Sequence, residues 1–174
     1  MIRKNAGFTL IEAMTVLTII AIGITIGIPG FNETIQRMRV TTTLNLLSAD
    51  MAMARSAAVM RQEHVGVCPR VAHNRCGSGT DWSDGWMVFA DADVNGQPDT
   101  PTDLLRVTDA PCAALLYLPA SRKLLRYQPD GRAYGANLTV YLCRKGQFAA
   151  KVVVNNPGRL RSERAVSATP CPRS

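Results

Sequence analysis

Aromatic side chains are scarce in this sequence, at 6% of 174 residues. Proteins that stack single-stranded bases on several exposed rings are therefore disfavoured. Catalytic motifs are also lacking: there is no Ser-His-Asp signature, no glycine-rich phosphate loop, and neither histidine lies in a recognisable motif. Internal repeats and low-complexity tracts are absent. The sequence therefore predicts a protein that is not an enzyme and that holds no cofactor.

Cysteines number five, which is too few for a disulfide scaffold and leaves at least one unpaired within a monomer. Disulfides persist in oxidising compartments, where we expect this part of the chain to lie. Cys68 and Cys76 flank a short polar loop, and Cys143 with Cys171 would tie down the C-terminal tail. Cys112 would then be the odd thiol. Spacing alone does not fix connectivity, so these two bridges are candidates.

Two metal sites can be written from the sequence, and both are disfavoured. The first is a four-ligand zinc set made of His64, Cys68, His73 and Cys76. Its spacing matches no standard finger, and oxidation would consume the thiols. The second begins at Asp91–Gly96 like a calcium loop, but the twelfth position is Thr102 instead of the required bidentate glutamate. We therefore expect no metal site.

Positive charge exceeds negative charge and is unevenly placed. Lys and Arg number 20 against 13 Asp and Glu, a formal net charge of +7. Residues 81–109 carry seven Asp and one Arg, whereas residues 122–174 carry eleven Lys and Arg against two acids. Separated charges of opposite sign predict a head with one anion-attracting side. The alternative is that the two stretches lie together and partly cancel.

A run of 21 residues from Phe8 to Ile28 contains a single charge, Glu12. As a helix it would span about 31 Å, the thickness of a bilayer's hydrocarbon core. Arg3 and Lys4 precede it, which predicts that the chain from Phe31 onward faces outward. An acid inside the apolar layer costs about 2.5–3.5 kcal/mol, so Glu12 is a functional candidate.

Cleavage after Gly7 would create an ammonium at Phe8, close enough to neutralise Glu12 of a neighbouring subunit. The hexapeptide Gly7–Glu12 resembles the prepilin peptidase site of type IV pilins and type II secretion pseudopilins. The resemblance implies a leader over residues 1–7, N-methylation of Phe8, and Glu12 as the assembly acid. It also implies three kinds of partner: prepilin peptidase, other major and minor pilins, and the inner membrane before assembly. The head would be periplasmic and, after assembly, part of an extracellular pilus.

A helix is predicted to continue beyond the apolar run to about Arg61. Pro29-Gly30 should kink or loosen it, because proline removes a backbone donor. Apolar residues then recur at steps of three and four: Leu44, Leu47, Met51, Ala54 and Ala58. This is the stripe of an amphipathic helix that packs on a core.

From residue 63 the pattern changes to short runs typical of strands. They cover residues 64–68, 85–90, 104–108, 124–128, 138–143 and 151–154, and Gly, Asn, Asp and Pro punctuate them. The predicted fold class is therefore α+β and pilin-like. A long N-terminal helix is transmembrane over residues 8–30 and amphipathic over 31–62. It packs against an antiparallel β-sheet head, residues 63–174, which ends in a basic C-terminal tail.

Further motifs resemble one branch of this group, the GspH/FimT minor pilins. They are Leu47–Asp50, Ala54–Ala57, Val67–Pro69, Asp84–Trp86 with Val88-Phe89, and Gly158–Arg161. The group contains pseudopilins of type II secretion and minor type IV pilins that take up DNA. The resemblance therefore leaves a DNA-binding pilin and a structural subunit both open.

The segment Asn156-Pro157-Gly158 predicts a turn in which glycine takes a positive φ. If the chain is extended afterwards, Arg159 and Arg161 project from one side about 6–7 Å apart, which suits successive phosphates. The stretch is similar to the C-terminal DNA-binding motif of FimT-type minor pilins, which implies that these residues bind double-stranded DNA. Further cations would extend the track: Arg164, Lys151, Lys145, Arg144 and Arg173. Contacts to phosphate predict low sequence specificity, and a merely solvated tail is the alternative.

Overall fold

The computed structural model describes residues 9–109, 115–133 and 135–172, without the side chains of residues 26–30. The predicted leader over residues 1–7, with Arg3, Lys4 and Gly7, lies outside the described residues, as do Phe8, Cys112 and Arg173. One α-helix, α1, covers Leu10–Arg61. The strands are β1 Val65–Val71, β2 Arg75–Cys76, β3 Gly85–Ala90, β4 Leu104–Asp109, β5 Leu125–Tyr127, β6 Leu138–Arg144, β7 Gln147–Val154 and β8 Leu160–Arg164.

The chain divides into two compact units, Met1–Met38 and Arg39–Ser174. In the first unit, the Thr9 hydroxyl accepts a hydrogen bond from the Glu12 amide at 3.3 Å, as a helix N-cap does. Its apolar side chains from Leu10 to Ile24 are exposed. The sequence predicts a membrane span over residues 8–30. Within the part of the chain that the structure describes, no helix meets the length and hydropathy of a membrane span.

In the second unit, α1 buries one apolar stripe against the head. The five residues of the predicted stripe, Leu44, Leu47, Met51, Ala54 and Ala58, are all buried in the main core. The helix ends at Arg61, as predicted. Gln62 explains the end, because its φ of 56° leaves the helical region and its side-chain amide donates to the Val59 carbonyl at 2.7 Å.

The strands form two antiparallel sheets. Five strands make the first, in the order β2-β1-β3-β4 with β5 also paired to β1, and β6-β7-β8 make the second. The sequence missed β2 and β8. β2 has two residues, and β8 reads Leu-Arg-Ser-Glu-Arg, so neither carries the apolar alternation that marks a half-buried strand. Backbone pairing with a neighbour defines both.

The second sheet extends into the C-terminal tail. β6 and β7 are joined by Lys145-Gly146, whose φ values of 50° and 75° are those of a type I′ hairpin turn. β8 pairs with β7 from Val154↔Leu160 to Ala150↔Arg164. Beyond β8 the tail stays beside β7, because the Phe148 amide donates to the Thr169 carbonyl at 2.9 Å. β8 and the tail therefore follow β7 along its length.

Two disulfides are present, Cys68–Cys76 and Cys143–Cys171, and both were candidate pairs from the sequence. The first joins β1 to β2. The second joins β6 to the tail beside β7, where the Cys171 amide also donates to the Gly146 carbonyl at 2.9 Å. Disulfide formation consumes two thiols of the possible zinc set. The Cys143–Cys171 bridge joins residues 28 positions apart in the sequence, and β7 and β8 lie between them.

A buried carboxylate connects α1 to the first sheet. Asp50 is 2% exposed and accepts hydrogen bonds from the Trp86 indole N–H at 2.9 Å and the Thr108 hydroxyl at 2.6 Å. Its other oxygen pairs with the Arg106 guanidinium at 2.7 Å. Because three donors converge on it, the charge is compensated despite its burial. Asp50 therefore ties the helix to both β3 and β4.

Replacing Asp50 by Ala should lower the free energy of unfolding by about 2–3 kcal/mol, because the buried Trp86 N–H loses its acceptor. The loss of the ion pair with half-exposed Arg106 adds little to this change, since water can solvate the guanidinium. Denaturant unfolding followed by the fluorescence of buried Trp82 and Trp86 measures the change. The exposed Asp84→Ala is the control and should stay within about 0.5 kcal/mol. An Asp50→Ala protein as stable as the parent would contradict this role.

Candidate nucleic-acid interface

The connection between β7 and β8 is a tight turn, residues 155–159, which we call the basic loop. The Gly158 amide donates to the Asn155 carbonyl at 2.8 Å, and Gly158 has the positive φ expected from the sequence, 75°. The Asn155 side-chain oxygen accepts from the Arg159 amide at 2.8 Å. Local hydrogen bonds therefore fix the backbone immediately before the first candidate arginine.

The basic loop packs against a second turn, residues 128–133, which we call the neighbouring turn. The Ala133 amide donates to the Asn156 carbonyl at 2.9 Å. A Cβ on Gly158 would overlap the Gly131 carbonyl oxygen, so the two backbones are in direct contact. Glycine is needed at 158 for its positive φ and for this close approach. The sequence indicated the first reason only.

The candidate arginines flank a partly buried residue. Leu160 packs against the main core, whereas Arg159 and Arg161 are exposed. The Arg161 side chain retains 70% of its accessible surface. The chain is extended from Leu160, which is the condition on which the sequence predicts both arginines on one side, and alternation along a strand puts neighbouring side chains on opposite faces. Both guanidiniums are therefore open to a large anionic partner.

An acid lies between two of the candidate cations. Lys151 on β7 is the cross-strand neighbour of Glu163 on β8, and their charged groups are 2.9 Å apart. The Arg161 guanidinium contacts the other Glu163 oxygen at 3.4 Å. The hydrogen bond from Lys151 is the main reason that the pKa of Glu163 is lowered, with help from both positive charges. Lys151 and Arg161 thus share one carboxylate.

The remaining candidates lie elsewhere on the second sheet. Arg164 pairs with buried Ala150, so strand alternation puts it on the face of β8 opposite Arg161. Arg144 and Lys145 lie at the β6–β7 turn, and the length of β7 puts them roughly 25 Å from the basic loop. The structure therefore groups Arg159, Arg161 and Lys151, and separates the other three from them.

Sequence reasoning missed Arg132, which lies on the neighbouring turn. Its exposed side chain makes a 3.4 Å ion pair with Asp130. The Ala133–Asn156 hydrogen bond brings its backbone beside the basic loop. Asp130-Gly131 is a local turn signal, but the contact between turns more than 20 residues apart has no sequence signature.

Metal ligation is not supported in the described part of the chain, where no cluster of three or more His, Cys, Asp or Glu side chains is arranged to hold an ion. In the calcium-like segment, the buried Asp91 carboxylate accepts from the Gly96 amide at 2.9 Å. Its second oxygen pairs with the Arg126 guanidinium at 2.6 Å. This carboxylate is thus already compensated by protein groups.

Substituting Gly158 by Ala should displace the basic loop, because a Cβ would collide with the Gly131 carbonyl. Gly146 is a matched control: it has the same φ of 75°, yet a Cβ there meets nothing within 4 Å. Each alanine should cost about 1–2 kcal/mol for its left-handed backbone, and Gly158→Ala should cost at least about 1 kcal/mol more for the overlap. Denaturant unfolding of both variants checks this, and equal losses would contradict the close contact.

Two crystal structures of the type IV minor pilin FimU from Pseudomonas aeruginosa strain PAO1 resemble this fold. In one crystal form the TM-score is 0.60 at 21% identity, covering 76% of this chain and 94% of FimU. In the other it is 0.57 at 19% identity, covering 74% and 96%. The likeness confirms the predicted pilin-like α+β fold. No curated protein matches the sequence significantly.

Two family descriptions match the sequence itself. Residues 2–28 match the prokaryotic N-terminal methylation motif. This motif implies prepilin peptidase processing, association with other pilins, and a membrane-anchored pilus component. Residues 43–158, more than half of the chain, match the type II transport protein GspH. The chain therefore belongs to the GspH family of pilin-like proteins and is a minor type IV pilin-like or pseudopilin-like subunit.

Proposed function

We propose that this subunit is a minor type IV pilin that binds extracellular double-stranded DNA through its backbone phosphates, for uptake in natural transformation. One observation carries the proposal: Arg159 and Arg161 are exposed on either side of a core-packed Leu160, directly after a hydrogen-bonded turn. Arg132 on the neighbouring turn adds a third exposed guanidinium close by. These three exposed groups lie on adjoining segments at one end of the second sheet, and we call them the cationic surface.

The chemistry of guanidinium suits phosphate. Its planar fork donates two parallel hydrogen bonds to phosphate oxygens and is always charged. Contacts of this kind position a protein on the duplex without reading bases, so unrelated sequences should bind alike. A backbone already ordered by hydrogen bonds loses little entropy on binding. The fixed basic loop therefore favours phosphate recognition over a loose electrostatic tail.

Assembly is the task that we assign to the first unit. Cleavage between Gly7 and Phe8, followed by N-methylation, would produce an amine that pairs with Glu12 of a neighbouring subunit. Glu12 is exposed in the first turn of α1, as are the apolar residues that follow it. The inner membrane would cover this apolar surface before assembly, with the head in the periplasm. Other pilins would cover it in the extracellular pilus.

The second candidate is a structural subunit without a nucleic-acid ligand, either a GspH-like pseudopilin of type II secretion or a pilin that primes fibre assembly. The match to the type II transport protein GspH favours it, because the matched residues end at 158, before both arginines. The exposed arginines would then meet acidic groups on neighbouring heads. DNA binding distinguishes the two functions.

The decisive experiment titrates the full-length chain, in a nonionic detergent, with two unrelated 30-base-pair duplexes between 50 and 200 mM salt. Four neutralised phosphates give a log–log slope near −3.6, or roughly a hundredfold loss of affinity over this range. Arg159→Ala with Arg161→Ala should weaken both duplexes equally and flatten the slope by about 1.8, because two phosphate contacts are lost.

Arg75→Ala is the matched control for charge. Arg75 is exposed on β2 and pairs with Val71, whereas Tyr127, next to the neighbouring turn, pairs with Val65 at the other end of β1. The length of β1 separates these ends by about 20 Å. This control should keep the parental slope. If the parent binds neither duplex at 50 mM salt, the DNA-binding function is wrong and the structural function remains.

Glu163→Gln should tighten DNA binding about two- to fivefold, because it removes the carboxylate that Lys151 and Arg161 share. The lowered pKa keeps the parental carboxylate ionised through neutral pH, so this gain should be constant from pH 6 to 8. In the parent, the affinity for DNA should rise only when the pH falls below the ordinary pKa range of a glutamate, where Glu163 becomes protonated. Fluorescence anisotropy with labelled duplex measures both effects, with the exposed Asp84→Asn as control. Unchanged or weaker binding by Glu163→Gln would contradict the proposed surface.

A further inference from the structure

One arginine touches the basic loop without belonging to the exposed cationic surface. Arg55 lies on α1 and is only partly exposed. Its Nε donates to the Gly131 carbonyl of the neighbouring turn at 3.0 Å. Its Nη2 lies 3.5 Å from the Pro157 carbonyl of the basic loop, at the limit of hydrogen bonding. A single guanidinium thus reaches both turns.

We propose that Arg55 is a positioning residue that fastens the basic loop to the neighbouring turn and so presents Arg159 to phosphate in one geometry. The inference rests on the proposed function, since it concerns the same surface. Its structural half, the fastening of two turns, is independent of any ligand. The planar guanidinium matters because its several donors can reach two carbonyls at once, whereas a lysine ammonium is a single point charge.

The packing around Arg55 supports a structural position. Its Nε lies 3.3 Å from the place a Cβ of Gly158 would occupy, and 3.2 Å from the corresponding place at Gly131. The two glycines therefore leave room for the guanidinium as well as for each other. A larger residue at position 158 would therefore displace the basic loop and also crowd the Arg55 guanidinium.

A buried hydroxyl lies within electrostatic reach of Arg55. Tyr127 is fully buried, and its hydroxyl has no hydrogen-bond partner among the described residues. Burial raises the pKa of Tyr127, and the positive charge of Arg55 opposes that rise, which indicates that the two groups are near each other. The Arg55 side chain thus runs past the core edge and ends at the two turn carbonyls.

Because its donors face backbone carbonyls, Arg55 should affect DNA affinity without contacting phosphate. The salt slope separates the two roles, since it counts neutralised phosphates. Arg55→Lys keeps the charge but loses the fork, so any loss of affinity reflects geometry. We expect about three- to tenfold weaker binding of a 30-base-pair duplex with the parental slope, whereas Arg159→Ala should flatten the slope by about 0.9. Arg61→Lys, exposed on the same helix, is the control and should bind like the parent.

A second measurement needs no DNA. Hydrogen exchange of the full-length chain, followed residue by residue, reports on the Ala133 amide bonded to Asn156 and the Gly158 amide bonded to Asn155. Both should exchange about five- to tenfold faster in Arg55→Lys, because the turns separate. The Tyr141 amide, bonded to Pro119 in the second sheet, should be unchanged and would reveal any general loss of stability.

The outcomes are distinguishable. Faster exchange at both turns with weaker binding at a constant salt slope supports the positioning role. Parental exchange and parental affinity in Arg55→Lys overturn it. Arg55→Gln removes the charge as well, so a slope flattened by about 0.9 in that variant overturns the positioning role too, because Arg55 would then be a phosphate contact. If the parent binds no DNA, the proposed function fails, while the exchange experiment still decides whether Arg55 fastens the turns.

Discussion

The buried Asp50 carboxylate sets how the second part of α1 faces the head. Apolar packing holds the helix to the core, but a stripe of Leu, Met and Ala tolerates small rotations about the helix axis. Three donors from β3 and β4 converge on Asp50. Because hydrogen bonds are directional, these contacts permit much less rotation of the helix than the apolar stripe does. Arg55 lies five residues later, about 140° round the axis. The rotation that Asp50 fixes therefore also directs Arg55 at the two turns.

The helix and most strands could be predicted from the sequence because their signals are local. The stripe from Leu44 to Ala58 repeats with the helical period, and the core that it enters supplies the matching apolar faces. β8 was missed because its five residues are mostly charged or polar. It is the edge strand of the second sheet, where the alternation of apolar and polar residues is weak. The division into two sheets was also missed, since it depends on which strands pair.

At the candidate site too, features set by adjacent residues could be predicted from the sequence, and features set by contacts between distant segments could not. The turn at Gly158 and the two following arginines are adjacent in sequence, so the motif and the expected conformation were readable. The sharing of Glu163 between Lys151 and Arg161 depends on the register of β7 against β8. Arg55 and Arg132 join the basic loop only through contacts between distant segments. No spacing rule connects residues 55, 132 and 159.

Charge pairing limits how strongly one head could bind DNA in the proposed function. Around the first sheet, Asp91 and Asp109 pair with Arg126 and Arg70, so part of the acidic stretch is neutralised locally. In the second sheet, Lys151 and Arg161 share Glu163, whereas no carboxylate pairs with Arg159 within the described residues. Because Lys151 and Arg161 are partly neutralised in this way, binding by one copy through this surface should be weak. Several copies along a fibre would raise the effective concentration of the remaining heads once one has bound. Weak, sequence-tolerant heads in a repeating array would therefore retain a long polyanion and still release short ones.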